Sequence, residues 1–366
     1  MTQCRPLVSD AFTVTGHVLT GGRFCQGHVM VEDGKVVDIG EGDPPEASVA
    51  RGIVLPGLVN HHTHVGDAAV PPPPPGLGPS DIFPPPDGYK HRMLATLPPG
   101  ELKAGITLFM DAMTAAGTVQ HTDFREGGLP GVEMLRDAQG MAGSPPRCRV
   151  FGRPARQEFD AAELGVLLAS VDGIGLSAAM DWPRGPIGDV VAAAHDFGRP
   201  VALHCSEATR EDLSWVLELD PEFLVHMVFG NRSDFHDLAA AGIPVVVCPR
   251  STHRFTKAPP VMEMARAGMD LRVGTDNAML QGPSVLDDVA FLLSLPENRQ
   301  ADPLVALSWA LALPKGSNTG GDFGVSIGSR DLAVMAFEGS DPLDLLRNDH
   351  QRTAELVMRD GRIWRP

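Results

Sequence analysis

Between residues 53 and 312 the chain alternates short β-branched runs with stretches of helical apolar spacing, eight times over. Parallel strands need crossovers, and eight βα units have one closed solution, an α/β (β/α)8 TIM barrel. The strand readings are Ile53–His64, Thr118–Phe124, Arg147–Gly152, Gly173–Ser177, Val201–His204, Phe223–His226, Pro244–Cys248 and Leu271–Gly274. Leu102, Ile106, Phe109, Met110 and Met113 fall at helical spacing, with Gly117 placed as a C-cap. Ile187, Val190, Val191, Ala194 and Phe197 mark another helix, and others are expected near 131–139, 160–170, 209–219, 233–241, 260–267, 285–294 and 303–312.

The two ends read differently. Asp33-Gly34 is a hairpin signal between two β-rich runs, and Asp360-Gly361 repeats it near the other end. Neither end buries a sheet face alone, so residues 1–52 and 322–366 are expected to pair into a small composite β-sandwich flanking a 53–321 barrel. The stretch 65–100, with Pro71–Pro75 and Pro84–Pro86, is too long for an ordinary connection and reads as a stiff lid.

Of 366 residues, 43% are hydrophobic, so a large core is available and disorder is not the default. The formal charge of −16 argues against nucleic acid or an anionic membrane as partner. Five scattered cysteines without a Cys-x-x-Cys pair exclude a disulfide framework or zinc ribbon and suit a reducing compartment. The first residues carry no signal-peptide pattern, and no apolar run approaches the roughly 20 residues that span a bilayer. A soluble, cytoplasmic protein is expected.

The chemistry-bearing residues cluster where such a barrel places its active groups. His62 and His64 are two apart on a strand and so share a face, within reach of one metal ion. His204 and Glu207, then His226, then Asp276 each follow a later β-branched run. Histidines and one aspartate from four strand ends make a catalytic metal constellation. His61 alternates to the other side and reads as structural. Asn277 either holds Asp276 or turns the chain, and Cys205 and Cys248 read as packing residues.

With Pro56-Gly57-Leu58-Val59-Asn60-His61-His62-Thr63-His64, His204-Cys205-Ser206-Glu207, His226, Cys248-Pro249-Arg250-Ser251-Thr252 and Gly274-Thr275-Asp276, the chain resembles the amidohydrolase superfamily, in its branch of cytosine deaminase-like enzymes and chlorohydrolases. The resemblance spans the barrel and the terminal β-structure. It implies that His62, His64, His204 and Asp276 bind one divalent ion, zinc or ferrous iron, which makes hydroxide available near neutrality. It further implies that Asp276 takes the water proton, Glu207 shuttles it to the substrate, and His226 orients the attack and stabilises the oxyanion. Relatives with two ions use a lysine at strand four. Here no lysine occurs between Lys103 and Lys257, and Asp181 lies past that place, so one ion per chain is expected. Family barrels often assemble through outer helices, which makes a homo-oligomer an expectation too.

The leading function is hydrolytic deamination of an amino-heterocycle. The alternatives are opening of a lactam or cyclic amide, as in imidazolonepropionase-like relatives, and a catalytically silent scaffold. Lys90, His91 and Arg92, then Arg125, then Arg250, His253 and Arg254 fall on predicted top loops. They suggest a small anionic substrate held by an arginine fork, against the plainer reading that Arg125 pairs with Glu126 and Arg250 or Arg254 with surface acids. Thr252 stands where the family usually has Asn. Tyr89 and Trp182 either stack on a planar ring or cap the core.

Overall fold

The computed structural model describes residues 11–44, 47–84, 87–313, 323–347 and 352–366. Four strands open the chain: β1 (Ala11–Thr20), β2 (Arg23–Glu32), β3 (Lys35–Glu41) and β4 (Ala50–Leu55). Then come β5 (Leu58–His64), β6 (Thr118–Arg125), β7 (Arg147–Gly152), β8 (Gly173–Leu176), β9 (Val201–Cys205), β10 (Phe223–His226), β11 (Val245–Val247), β12 (Leu271–Val273) and β13 (Asp276–Asn277). β14 (Leu332–Met335), β15 (Ala354–Arg359) and β16 (Arg362–Trp364) close it.

β5 to β13 form one nine-stranded parallel sheet in the order β12-β11-β10-β9-β8-β7-β6-β5-β13. Its edge strands β12 and β13 are consecutive in the chain, with only Gly274 and Thr275 between them, so the sheet curls round on itself. Gly274 is where the two ends touch. A Cβ there would sit 2.7 Å from the His62 nitrogen and 2.8 Å from its oxygen, an approach that glycine alone permits. Helices such as Pro99–Ala115, Gly128–Met141, Arg184–Asp196 and Val285–Ser294 bury their apolar stripes against the strands. Phe124, Phe151, Ala202, Phe223, Val225, Val246 and Cys248 form a separate buried cluster drawn from different strands, the filling of the curled sheet.

The run read as one strand, Ile53–His64, is two. Its first part lies in β4, which pairs with β1 and β14 in the terminal sheet, and its second part, β5, opens the parallel sheet. Pro56 has no amide hydrogen for a ladder, and Gly57 lies so close to Val119 that a Cβ would fall 2.4 Å from a methyl. The chain changes sheets at that dipeptide.

Both ends do share a sheet, in the order β16-β15-β14-β4-β1-β2-β3. The expected two-layer sandwich is not what the hydrogen bonds draw, because β14 pairs directly with β4 and joins the two halves into one seven-stranded ladder. Asp33-Gly34 and Asp360-Gly361 are both left-handed turns, as their sequences require. The expected barrel boundary at 321–322 lies outside the described residues.

The segment after β5 carries more structure than a proline-stiffened loop. It forms a tight turn, Val65–Ala69, and short helices Pro79–Ile82 and Tyr89–Thr96. These pack on a small cluster of Val70, Ile82 and Met279, joined by Phe83, Tyr89 and Phe255. An unexpected helix, Pro249–Phe255, follows β11, with proline in its first turn where no amide hydrogen is missed. Among the described residues no helix is long and apolar enough to cross a membrane. Cys25, Cys148, Cys205 and Cys248 are free thiols; Cys4 lies outside the described residues.

Candidate metal and active site

The strand ends bring His62, His64, His204 and Asp276 together, with one ligand atom from each inside a span of 4.8 Å. The His62 and His64 Nε2 atoms lie 3.4 and 3.6 Å from Asp276 Oδ1, and the His64 and His204 Nε2 atoms are 3.3 Å apart. The opposite ring nitrogens are turned to acceptors in two of the three. His204 Nδ1 lies 2.8 Å from the Leu176 carbonyl, and His64 Nδ1 3.1 Å from the Phe124 carbonyl. His62 has both ring nitrogens buried and without a hydrogen-bond partner. An orphaned imidazole nitrogen beside two others and a carboxylate is the situation that a bound cation satisfies, so the donor set fits a divalent ion. Burial pushes the His64 ring down to about 3 and lowers His62 and His204 as well. These rings are therefore neutral near pH 7, the form that offers a lone pair to a metal.

Asp276 also belongs to a second group, with Glu207 and His226, inside the same 4.8 Å span. Glu207 Oε2 is 3.5 Å from His226 Nε2. Burial raises the Glu207 carboxyl, and the nearby Asp276 charge adds to the effect. Burial acts on Asp276 in the same sense, but contact with His62 and the charges of the histidines hold it well below the usual carboxylate range. Two carboxylates a few ångströms apart are thus driven in opposite directions.

Local structure aims these groups. Asn60 clamps β5 to the last strand: its Nδ2 donates to Thr275 Oγ1 at 2.8 Å, and its Oδ1 accepts from the Thr275 amide at 3.0 Å. Ser251 donates a short hydrogen bond to Asp276 Oδ2, and Asn277 Nδ2 donates to Ser251 Oγ at 3.2 Å. Ser206, His226, Met227 and Asp276 have φ of 49°, 81°, 52° and 66°, left-handed backbone held by non-glycine residues. Each such residue costs about 1–3 kcal/mol and persists where its surroundings enforce it.

A cavity of about 280 Å³ opens over the cluster, lined by His204, Glu207, His226 and Asp276. Of the cationic and histidine residues expected to touch substrate, Lys90 lines it together with His91. Lys90 Nζ is committed to Glu126 at 2.7 Å and Asp67 at 2.9 Å. Arg125, Arg250 and His253 do not line it. Arg125 Nη2 is 2.8 Å from Glu126, the plainer pairing read from the sequence. Arg250 is bound to buried Asp288 through Nε at 2.9 Å and Nη2 at 2.7 Å. The His253 ring rests against Phe291 at 5.2 Å. Tyr89 donates to the Pro71 carbonyl and Trp182 to Ser177 Oγ, both outside the cavity wall. His61 faces another cavity, with Val59, Gln120 and Arg149; the ladder slips its register between Asn60 and Thr63, so strict alternation does not hold there.

Among the lining residues that sequence reading missed, three bear on a substrate. Arg153, one position past β7, is buried against the cavity, and its Nε donates to the Gly175 carbonyl at 3.4 Å. Its place just beyond a strand end was the available signal. Phe83 and Phe255, edge to face with centroids 5.2 Å apart, form an apolar part of the wall. They come from segments read as loop, where no periodicity marks them.

No family model matches the chain. A relative from Methanothermobacter thermautotrophicus that carries the name aminohydrolase is 30% identical over 291 residues, 73% of this chain and 75% of its own length. A 5-methylthioadenosine/S-adenosylhomocysteine deaminase of Halobacterium salinarum is 27% identical over 382 residues, covering 90% of this chain and 85% of that one. A crystal structure of an adenosine deaminase from Xanthomonas campestris with bound zinc superimposes with a TM-score of 0.75 at 18% identity, covering 95% of this chain and 91% of that one. With the aminohydrolase relative, the curled parallel sheet that gathers histidines and an aspartate at its strand ends puts the chain in the amidohydrolase superfamily. Within that superfamily the chain belongs to the aminohydrolases, hydrolases that act on carbon–nitrogen bonds.

Proposed function

We propose that the chain hydrolytically deaminates an amino-substituted heterocycle, with His62, His64, His204 and Asp276 holding one zinc or ferrous ion. The observation that carries the reading is the convergence of three Nε2 atoms and Asp276 beneath a cavity that also presents Glu207 and His226. The nine strands are then a (β/α)8 barrel whose eighth strand is interrupted at Gly274-Thr275, and the terminal sheet is a separate small domain.

A divalent ion in this cluster supplies Lewis acidity that makes water a nucleophile near neutral pH. Asp276, held ionised, accepts the proton that the attacking water loses. Glu207, with its raised carboxyl, donates a proton to the ring nitrogen as the carbon becomes tetrahedral, and a second transfer lets the amino group leave as ammonia. His226 Nε2 faces the same space and donates to the developing oxyanion. Water adds, ammonia departs, and the ring keeps a carbonyl.

The cavity wall bears on the substrate. Phe83 and Phe255 suit a planar ring, and Arg153 suits an acceptor or anionic group on it. The Halobacterium relative's name, a deaminase of adenosine derivatives, supports ammonia release over lactam opening. Retention of every expected ligand tells against a silent scaffold.

The test is ammonia release from aminopurines, aminopyrimidines and pterins, each neutral and carboxylated or phosphorylated. Metal-loaded protein would be compared with D276N as blank. Release above that blank is expected. None from fully metallated protein would overturn deamination and turn attention to ring opening, and two equivalents of tightly held metal per chain would overturn the single-ion reading.

A further inference from the structure

We infer that Lys90 and Glu126 are a positioning pair that fixes the His64 ring for metal binding and ties the helix Tyr89–Thr96 to the metal site. The inference rests on the reading that His62, His64, His204 and Asp276 bind a divalent ion. Glu126, one residue past β6, presents Oε1 to two donors at once: His64 Nδ1 at 2.8 Å and Lys90 Nζ at 2.7 Å. Its Oε2 takes Arg125 Nη2 at 2.8 Å. Lys90 Nζ lies a further 2.9 Å from Asp67 Oδ2, on the turn directly after His64. Four ionisable side chains thus meet with residue exposures of 0–6%. Burying charges costs several kcal/mol per ion before pairing offsets it, so such a group is not a solvated surface ornament.

Its geometry explains the placement. A carboxylate at Nδ1 keeps the hydrogen there and leaves Nε2 with a free lone pair. Nε2 is the His64 atom that faces His204 and Asp276. His204 Nδ1 meets only a carbonyl, and His62 Nδ1 meets no partner, so His64 alone of the three has a charged orienting group. The Phe124 carbonyl, 3.1 Å from His64 Nδ1, is the competing acceptor. Among the described residues the ion pairs of Lys90 are to Asp67 and Glu126, and none is to His62, His64, His204 or Asp276. Lys90 therefore acts on the metal through Glu126, and the segment that carries it is anchored rather than a free flap.

The experiment is zinc competition against a coloured chelator for the full-length wild type, E126Q, K90M and K90R. About tenfold to a hundredfold weaker zinc binding is expected for E126Q and K90M, the usual effect of removing a group that orients a ligand, with recovery in K90R. Affinities within twofold of wild type for both E126Q and K90M would overturn the inference and leave the Phe124 carbonyl as the orienting group. Should the variants fail to fold, nitrogen-15 spectra of metal-free wild type decide, with His64 assigned by the signals lost in H64N. Hydrogen on Nδ1 is expected, with its proton signal downfield of the His204 Nδ1 proton, which meets only a carbonyl; a signal no further downfield than that one, or hydrogen on Nε2, would overturn it. A wild type that takes up neither zinc nor ferrous iron would instead sink the proposed function, while the spectra still judge the tautomer.

Discussion

Glu207 and Asp276 share one corner of the cavity, and their roles separate by environment. E207Q is expected to fold and hold metal like the wild type while losing about 10²- to 10⁴-fold in turnover, the usual worth of a general acid–base group. Steady-state rates alongside metal analysis check this, and an unchanged rate would remove Glu207 from the mechanism. At this scale the sequence was most legible where a strand end meets a candidate ligand. His62, His64, His204 and Asp276 sit on or beside strands that β-branched runs announce. The cations were less legible because charge says nothing about partners. Arg125 and Arg250 stand out in an acidic chain, yet each is committed to a carboxylate close by in space, and for Arg250 that partner is Asp288. The positive φ at His226 and Asp276 falls on residue types that tolerate it better than most, a signal too weak to pick out these two positions.

At the level of elements, the Asn60–Thr275 clamp joins the first strand of the parallel sheet to its last. Both residues are fully buried. N60A removes two hydrogen bonds and leaves a hydroxyl and an amide without partners, which is expected to cost about 2–4 kcal/mol. Denaturant unfolding measures it, and a loss under 1 kcal/mol would mean that neighbouring groups or water take over the bonds. The βα alternation was readable because buried parallel strands are short and apolar and their helices keep a 3.6-residue period. Two elements were misread for physical reasons. The change of sheet at Pro56-Gly57 interrupts a run whose hydrophobicity never falters. The short helices after β5 are held by Val70, Ile82 and Met279, a contact across more than 190 residues that local pattern does not encode.

For the whole molecule, buried histidines set the response to acid. Burial is the leading cause that lowers His61, His64 and His121 to about 3 and His91 to about 4, from 6.5. Between those values the unfolded chain binds four protons that the native state refuses, so stability falls as pH drops below 6.5. Asp67 and Asp123, raised by burial to about 7 and about 6, act in the opposite sense, since they hold protons natively that the unfolded chain releases above 3.8. Four outweigh two. The melting temperature of metal-free protein is expected to fall steadily from pH 6.5 to 4.5, and a flat or rising trend in calorimetry would contradict these shifts.

The break between β12 and β13 has a consequence for biogenesis. Asn60 and Thr275 are 215 residues apart, and Asp276 reaches the histidines only when the end of the sheet made last docks on the strand made first. A nascent or truncated chain that stops short of that docking presents histidines without their carboxylate. On the proposed reading, metal capture would then report on completed docking: the ion would serve as a clasp, fastened only after β13 has met β5.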